Sequence, residues 1–388
     1  MGLALNLIVT VVFVAVQWRI AAILLREAAR LFSGWALTAA RGTVFLFDLV
    51  LLAGYSFSFS ELVPHLGIPG HIALIMGAGI LAYLIASTAV LAVYLAFKAI
   101  AKQLRADVNP GRRRALNAAG GVLMAAPFVV MGYGAMVERL DFRVRELDVP
   151  LPGLPLDLDG LRILQISDIH LSAFLHESDL ARVIDMALEL RPHVAVVTGD
   201  LISSRADPLD ACIRQLARVK SDAGTFGCMG NHERYARVER YTAEAGARAG
   251  IRFLRGQAQT LRFGNSVLNL AGVDYEPLTD RGNYLRGAER LVVPGAVNVL
   301  LSHNPDVFPV AARQGYNLLL AGHTHGGQVT VEILDQSINA ARFFTPYVYG
   351  LYRQGGAAAY VTRGIGTIGI PARLGAPPEI TLLRLQKA

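Results

Sequence analysis

The run Leu158-Asp159-Gly160-Leu161-Arg162-Ile163-Leu164-Gln165-Ile166-Ser167-Asp168-Ile169-His170 decides how the second half of this chain folds. Residues 161–166 are a short, largely apolar run between Gly160 and a polar cluster, the pattern of a strand buried on both faces. The run ends in an acid and a histidine two positions apart. The arrangement recurs: residues 194–197 lead into Gly199-Asp200, and 226–229 into Gly230-Asn231-His232. Residues 297–301 lead into Ser302-His303-Asn304, and 318–321 into Gly322-His323-Thr324-His325. Helical periodicity fills several gaps, over 176–190 (apolar at Leu180, Val183, Ile184 and Leu188), 210–219 and 234–249. An earlier strand is expected over 142–149, where apolar and polar residues alternate. Further strands are expected over 253–254, 259–263, 266–273, 296–302, 317–321, 327–331, 358–362 and 380–385. Strand–helix alternation of this kind predicts an α/β layered domain.

Five of the nine histidines lie in four of these motifs. In open α/β sheets, ligands bind beyond the carboxyl ends of strands. A lone histidine there would ordinarily be a packed or turn residue. Five strand ends, each delivering a metal-type residue, argue against that reading. Asp168, His170, Asp200, Asn231, His303, His323 and His325 form a mixed nitrogen and oxygen set large enough for two divalent ions. Such a set suits Mn, Fe, Zn or Co better than Ca. Strand alternation would place Asp168 and His170 on one side of an extended segment, and His323 and His325 likewise. Asp200, with two oxygens, can bridge. A pair of ions about 3.5–4 Å apart clamps the attacking and leaving oxygens of an in-line phosphoryl displacement.

The first 137 residues read differently. The chain has 388 residues, is 53% hydrophobic and carries a formal charge of +7, and its apolar residues concentrate in four stretches. These are residues 3–18 (running on to 25), 42–59, 71–97 and 115–137, against the roughly 20 apolar residues that a spanning helix needs. The first lacks the n-region and cleavage site of a removable signal. Arg19, Arg26, Arg30 and Arg41 follow the first stretch, and none of the residues 60–70 is Lys or Arg. Lys98, Lys102, Arg105, Arg112, Arg113 and Arg114 follow the third. Positive loops stay cytoplasmic, so four spans would leave both termini and the C-terminal domain outside. The excess positive charge is thus ascribed to membrane orientation. No basic tract with interleaved aromatics suggests nucleic acid. Asp48, inside the second stretch, is either functional or held by an interhelical hydrogen bond.

The series D-x-H, G-D, G-N-H, S-H and G-H-x-H, in this order, resembles the calcineurin-like metallophosphoesterase superfamily. The string 158–170, Gly322-His323-Thr324-His325-Gly326-Gly327-Gln328, and Arg363-Gly364-Ile365-Gly366-Thr367 followed by Pro371 and Pro378-Glu379 are similar to its bacterial membrane-associated phosphodiesterase branch. The resemblance covers about 141–388. It implies a four-layer β-sandwich of two mixed sheets flanked by helices. The expected organisation is a transmembrane helical domain over 1–137, a linker and first strand over 138–160, and the metallophosphoesterase domain over 161–388.

The resemblance also implies roles. One ion would take Asp168, His170, Asp200 and His325, and the other Asp200, Asn231, His303 and His323. Attack on phosphorus would come from a hydroxide between them. His232 would face the phosphate and stabilise or protonate the leaving oxygen. After Asn231-His232 the family usually has Asp, where this chain has Glu233, which leaves the orientation of His232 open. Asp274 either orders the site or makes a turn. Arg363 either contacts substrate or braces the C-terminal segment. His65, His176 and His193 read as surface or turn residues, and His71 as interfacial. Cys212 and Cys228 read as small buried residues, with one disulfide open if the domain lies outside the cytoplasm.

The expectation is therefore a phosphoric ester hydrolase in the bacterial cytoplasmic membrane, its site on the outer face, acting on a lipid-linked or envelope phosphate ester. One alternative is pyrophosphate cleavage of a UDP-2,3-diacylglucosamine-type lipid A precursor, which the expected topology disfavours. Another is a membrane sensor or scaffold without catalysis.

Overall fold

A computed structural model describes residues 3–59, 70–103, 110–333 and 336–388. The chain divides into two compact units, 1–135 (with 369–371 grouped to it) and 136–368 with 372–388.

The first unit contains four long helices, α1 (Leu3–Leu31), α2 (Gly34–Phe59), α3 (Gly70–Gln103) and α4 (Pro110–Met136). All four apolar stretches are thus helical. Among the described residues, only Gly34–Tyr55 is long and apolar enough to cross a bilayer by length and composition. In α1, Arg19, Arg26, Glu27 and Arg30 crowd the second half of the helix. Phe13, Leu51, Tyr55, Ile80, Tyr83 and Leu84 pack together, while Trp18, Trp35, Phe45, Leu46 and Val50 are exposed. Asp48 has a neutral partner: Gln17 Nε2 donates to Asp48 Oδ1 at 2.6 Å, and Tyr83 Oη donates to Gln17 Oε1 at 3.0 Å. That chain links α2, α1 and α3, the interhelical bond considered for this residue. Residues 60–69, with His65, and 104–109, with Arg105, lie outside the described residues.

The second unit is built on two six-stranded mixed sheets. In the first, β1 (Arg143–Leu151) pairs parallel with β14 (Glu379–Lys387), which runs antiparallel to β2 (Arg162–Ile166). Then β3 (Val194–Thr198), β4 (Thr225–Cys228) and β5 (Ile251–Phe253) follow in parallel. In the second sheet β7 (Ser266–Gly272), β8 (Val297–Leu301), β9 (Leu318–Ala321) and β13 (Ala357–Val361) are parallel neighbours. They are flanked by the antiparallel edges β6 (Gln257–Phe263) and β12 (Gly350–Gln354). A hairpin, β10 (Thr330–Ile333) with β11 (Gln336–Asn339), stands apart.

Side-chain alternation makes the layers. Ile163, Val194, Val196, Val299, Leu301, Leu318 and Leu320 meet in the core between the sheets. Their neighbours Leu164, Ile166, Ala195 and Val197 point the other way, onto α5 (Glu177–Glu189) and α6 (Leu209–Leu216) through Leu180, Val183, Ile184 and Ile213. On the far face Leu300, Leu319 and Ala359 cover Phe308 and Ala311 of α9 (Phe308–Gln314). Strands buried on both faces explain why the sequence shows continuous apolar runs there rather than alternation.

Three local expectations need correction. The helix expected over 234–249 is two helices, α7 (Asn231–Ala236) and α8 (Glu239–Arg248), broken where Arg237 takes a left-handed φ of 56°. The strand expected over 327–331 begins instead as a 3₁₀ turn at His325–Gly327. Strands β11 and β12 were not anticipated. Both cysteines are buried thiols, so the open disulfide is not formed.

Candidate metal centre

β2, β3 and β4 are parallel neighbours in one sheet, and β8 and β9 in the other. Their carboxyl ends deliver Asp168, Asp200, Asn231, His303 and His323 to a common place. Donor atoms of Asp168, His170 and His325 all lie within 4.8 Å of one another, as do those of His170, Asp200 and His232, and those of Asp200, His303 and His323. Asp200 stands in two of the three groups. His303 Nε2 is 3.0 Å from Asp200 Oδ2, His170 Nε2 is 3.4 Å from the same oxygen, and His325 Nε2 is 3.4 Å from Asp168 Oδ1.

Convergence does not come from strand alternation, as the sequence suggested. Each strand has already ended, and Asp168 (φ 49°), His170 (47°), Asp200 (55°), His323 (75°) and His325 (52°) are all left-handed. Among the described residues they are five of nine non-glycine residues with positive φ, a conformation that side chains adopt at a cost of about 1–3 kcal/mol each. Tertiary bonds hold the turns: Asp168 N–H donates to Gly199 O, His170 N–H to Asp200 O, and His323 N–H to Asp168 Oδ1 at 2.9 Å. Two glycines make room. A Cβ on Gly230 would lie 2.1 Å from Asp200 Oδ1, and one on Gly322 would lie 2.2 Å from Asp168 Oδ2.

The donor set fits divalent cations. Asp168 Oδ2, Asn231 Oδ1 and His303 Nε2 are buried and, among the described residues, have no hydrogen-bond partner. Buried polar atoms without partners are costly and call for one. Nδ1 of His303 lies 2.6 Å from Thr198 O, that of His232 2.6 Å from Ser203 O, and that of His325 3.3 Å from Gly366 O. A carbonyl only accepts, so Nδ1 of His303 and of His232 carries a proton and Nε2 is the atom left to face a cation, while His325 Nδ1 also lies 3.4 Å from Arg373 Nη2, a donor. Such outer bonds fix the ring and tautomer of metal-bound histidines. His170 and His325 bring their Nε2 atoms to 3.1 Å, and His303 Nε2 faces the Asp200 carboxylate at 3.0 Å. A proton or a cation must stand between the atoms of each contact.

Electrostatics agree. Burial opposes charge on His303, but Asp200 and Asp168 outweigh it and raise its pKa to about 10, so a proton there does the work of a cation. Burial works against the Asp200 carboxylate too, yet His303 and His170 hold it well below the usual range. Burial pushes Asp168 up, with His303 opposing. Burial drives His323 down to about 3 and His325 well below its ordinary value, leaving two neutral rings.

Glu233, the departure noted above, is fully buried and accepts from Gly230 N, Asp200 N and Leu201 N at 2.8, 2.9 and 2.7 Å. It ties the Asp200 turn to the start of α7. That brace fixes the backbone of His232, whose N–H donates to Asp200 Oδ1 at 2.9 Å. His232 is half-buried, and a ring nitrogen of it lies within 4.8 Å of donor atoms of His170 and Asp200.

Arg373, which nothing in the sequence singled out, is fully buried. It donates to Gly366 O (3.0 Å), Ala376 O (2.9 Å), Arg363 O (2.8 Å) and Gly364 O (3.2 Å), gathering the loop that Gly366 shares with His325. Tyr275 is also buried, its ring centroid 5.4 Å from His323 and 6.0 Å from His303. Asp274 makes a two-point ion pair with Arg255 at 2.8 Å. The Arg363 guanidinium lies 3.8 Å from the centre of the Tyr349 ring. His176 caps α5, and His193 Nδ1 accepts from Arg162 N. Side chains near His71 are outside the described set.

Comparison with known proteins places this chain in a family. The calcineurin-like phosphoesterase model matches residues 161–327. The chain is 30% identical over 284 residues to the metallophosphoesterase YkuE of Bacillus subtilis, covering 71% of this chain and 97% of that protein. It is 30% identical over 235 residues to the phosphodiesterase YaeI of Escherichia coli, covering 58% and 82%. It is also 32% identical over 273 residues to a transmembrane protein with metallophosphoesterase domain of Danio rerio, covering 67% and 61%. The chain spans 61% to 65% of the lengths of that protein and of its relatives in Campylobacter jejuni and Bos taurus. On the match to YkuE, the chain belongs to the calcineurin-like metallophosphoesterase family, whose members are hydrolases.

Proposed function

We propose that the chain is a membrane-anchored phosphoesterase that uses two divalent cations, one held by Asp168, His170, Asp200 and His325 and the other by Asp200, Asn231, His303 and His323. The observation that carries this reading is the convergence of these strand ends around buried donor atoms without partners, at Asp168, Asn231 and His303. When bound, such a pair would acidify a water and neutralise charge developing on a phosphoryl group. The protein's own part is positional. Glu233 and Arg373 hold the turns that carry Asp200 and His325, and the left-handed backbones aim the donors before substrate arrives.

His232 is the group for the leaving oxygen. Burial lowers its pKa against the pull of Asp200, so the free site keeps it neutral, with Nδ1 on Ser203 O. A bound phosphate, being negative, acts in the direction that restores the second proton. General acids need a donor within hydrogen-bond reach of the departing atom.

The four helices α1 to α4 support a multi-pass anchor. Their flanking arginines and lysines would orient it with the catalytic unit outside the cytoplasmic membrane. Relatives named as transmembrane proteins favour a membrane anchor. A site tethered there suits a lipid-linked or envelope phosphate ester. Purified full-length chain should hydrolyse a simple aryl phosphodiester only with added Mn or Zn, and Asp200→Ala should abolish this. Activity that persists in Asp200→Ala would refute the site. Reporter fusions after Val137 that work only in the cytoplasm would refute the orientation.

A further inference from the structure

A cavity of about 190 Å³ opens beside the candidate metal centre, and His323 forms part of its wall. Leu278, Pro305, Ala341 and Phe344 give the wall its apolar surface. The polar residues in the wall are already engaged elsewhere. Asn304 Nδ2 donates to Glu276 O at 2.8 Å, and Asn304 Oδ1 accepts from Asp306 N at 2.9 Å. Thr324 donates to Val348 O and Thr345 to Asp306 Oδ1. What remains to line the space is carbon. A water's share of liquid is about 30 Å³, so the cavity holds on the order of six groups of that size.

The rim carries a feature that packing does not explain. Phe343 and Phe344 are 87% and 66% exposed, side by side at the end of the short turn Ala340–Phe343. The turn is anchored: Asn339 Oδ1 accepts from Arg342 N at 3.2 Å, and Arg281 Nη2 donates to Phe344 O at 3.1 Å while pairing with Asp306. Phe344 lines the slot while most of its side chain stays exposed, and the exposed Phe343 is its neighbour in the chain, so apolar surface adjoins the slot. The slot adjoins the candidate metal centre at His323, which belongs both to its wall and to the Asp200–His303 donor group.

We propose that this slot receives an alkyl or acyl substituent of the phosphate ester, so that the substrate is amphiphilic, with its phosphate at the metal centre and about six carbons of its apolar group between Leu278, Pro305, Ala341 and Phe344. The inference rests on the phosphoesterase reading and assigns it a substrate class. The apolar group enters on the His323 side and the rim phenylalanines cover what protrudes.

The test is a series of p-nitrophenyl alkyl phosphates from methyl to hexyl, hydrolysed by the full chain in detergent with Mn. The leaving group stays constant while the apolar substituent grows. Turnover efficiency, kcat/KM, should rise with chain length by up to about fourfold for each methylene buried. In Ala341→Phe, which fills the slot, and Phe344→Ser, which strips its rim, the rise in kcat/KM from the methyl to the hexyl ester of the same variant should flatten. A parent enzyme that hydrolyses all members equally, or variants that keep the full slope, would overturn the slot. No metal-dependent hydrolysis of any member would overturn the phosphoesterase reading and the inference with it.

Discussion

Asp48 in the helical unit and Asp168 in the sandwich unit are carboxylates satisfied in opposite ways. In the helical unit Asp48, Gln17 and Tyr83 satisfy one another across three helices, and large apolar side chains such as Trp35 and Phe45 face outward. In the sandwich unit the apolar residues are inside, and the buried polar groups at the strand ends leave Asp168 Oδ2, Asn231 Oδ1 and His303 Nε2 without partners. A polar group that only holds a bundle together is complete within the chain. A polar group that awaits a cation is not. Whether each oxygen of a carboxylate is satisfied within the chain thus distinguishes Asp48 from Asp168.

Substitutions can break that comparison, and the largest effect belongs to Asp200. Asp200→Ala removes the carboxylate common to two donor groups, and kcat/KM should fall by more than about a hundredfold, the upper end of what outer-shell changes cost. A steady-state assay at saturating Mn decides it. Glu233→Ala comes next. It strands three buried N–H donors at about 1–3 kcal/mol each, so thermal unfolding should show a loss of several kcal/mol even without metal. Arg373→Met keeps the bulk and removes the donors, and should weaken metal binding by roughly 10- to 100-fold, read by titration with a metal indicator.

Protons should report on the empty site. An unfolded histidine titrates near 6.5, and folded His303 near 10. Its raised pKa stabilises the metal-free fold fully below about 6.5, and this contribution is lost as pH rises through about 10. Metal-free protein should therefore lose stability over that window, while metal-loaded protein should not. Melting curves at several pH values, with and without Mn, check this. The smallest effect belongs to Asp48→Asn, which keeps an acceptor for Gln17. It should change neither hydrolysis nor stability by more than about 1 kcal/mol, the scale of one intramembrane hydrogen bond. A large loss of activity there would erase the contrast between the units.

Much of the sandwich was legible in the sequence because doubly buried strands write themselves as unbroken apolar runs, and residues 161–166, 194–197 and 297–301 each became a strand. The site residues were legible because each run stops at a polar pair. What the sequence hid was non-local. The left-handed turns at Asp168 and His170 depend on the 199–200 segment, some 30 residues away, so alternation gave the wrong reason for their convergence. Arg373 looks like any arginine in a Gly- and Pro-rich stretch, and its role shows only in the fold, where it gathers four carbonyls of its own segment, 363–376, and reaches His325 O at 3.4 Å. Glu233 stood out as a departure, but its three amide partners appear only in the fold. In the helical unit the length of each apolar stretch was legible. Its charges, as in α1, decide how well it serves as a span.

Metal content of the purified full-length chain, measured by elemental analysis after loading with Mn and removal of loosely bound ions, tests the central claim most directly. The account predicts two ions per chain, and a fall below one in Asp200→Ala. One ion or none in the parent protein, or an unchanged content in Asp200→Ala, would contradict it.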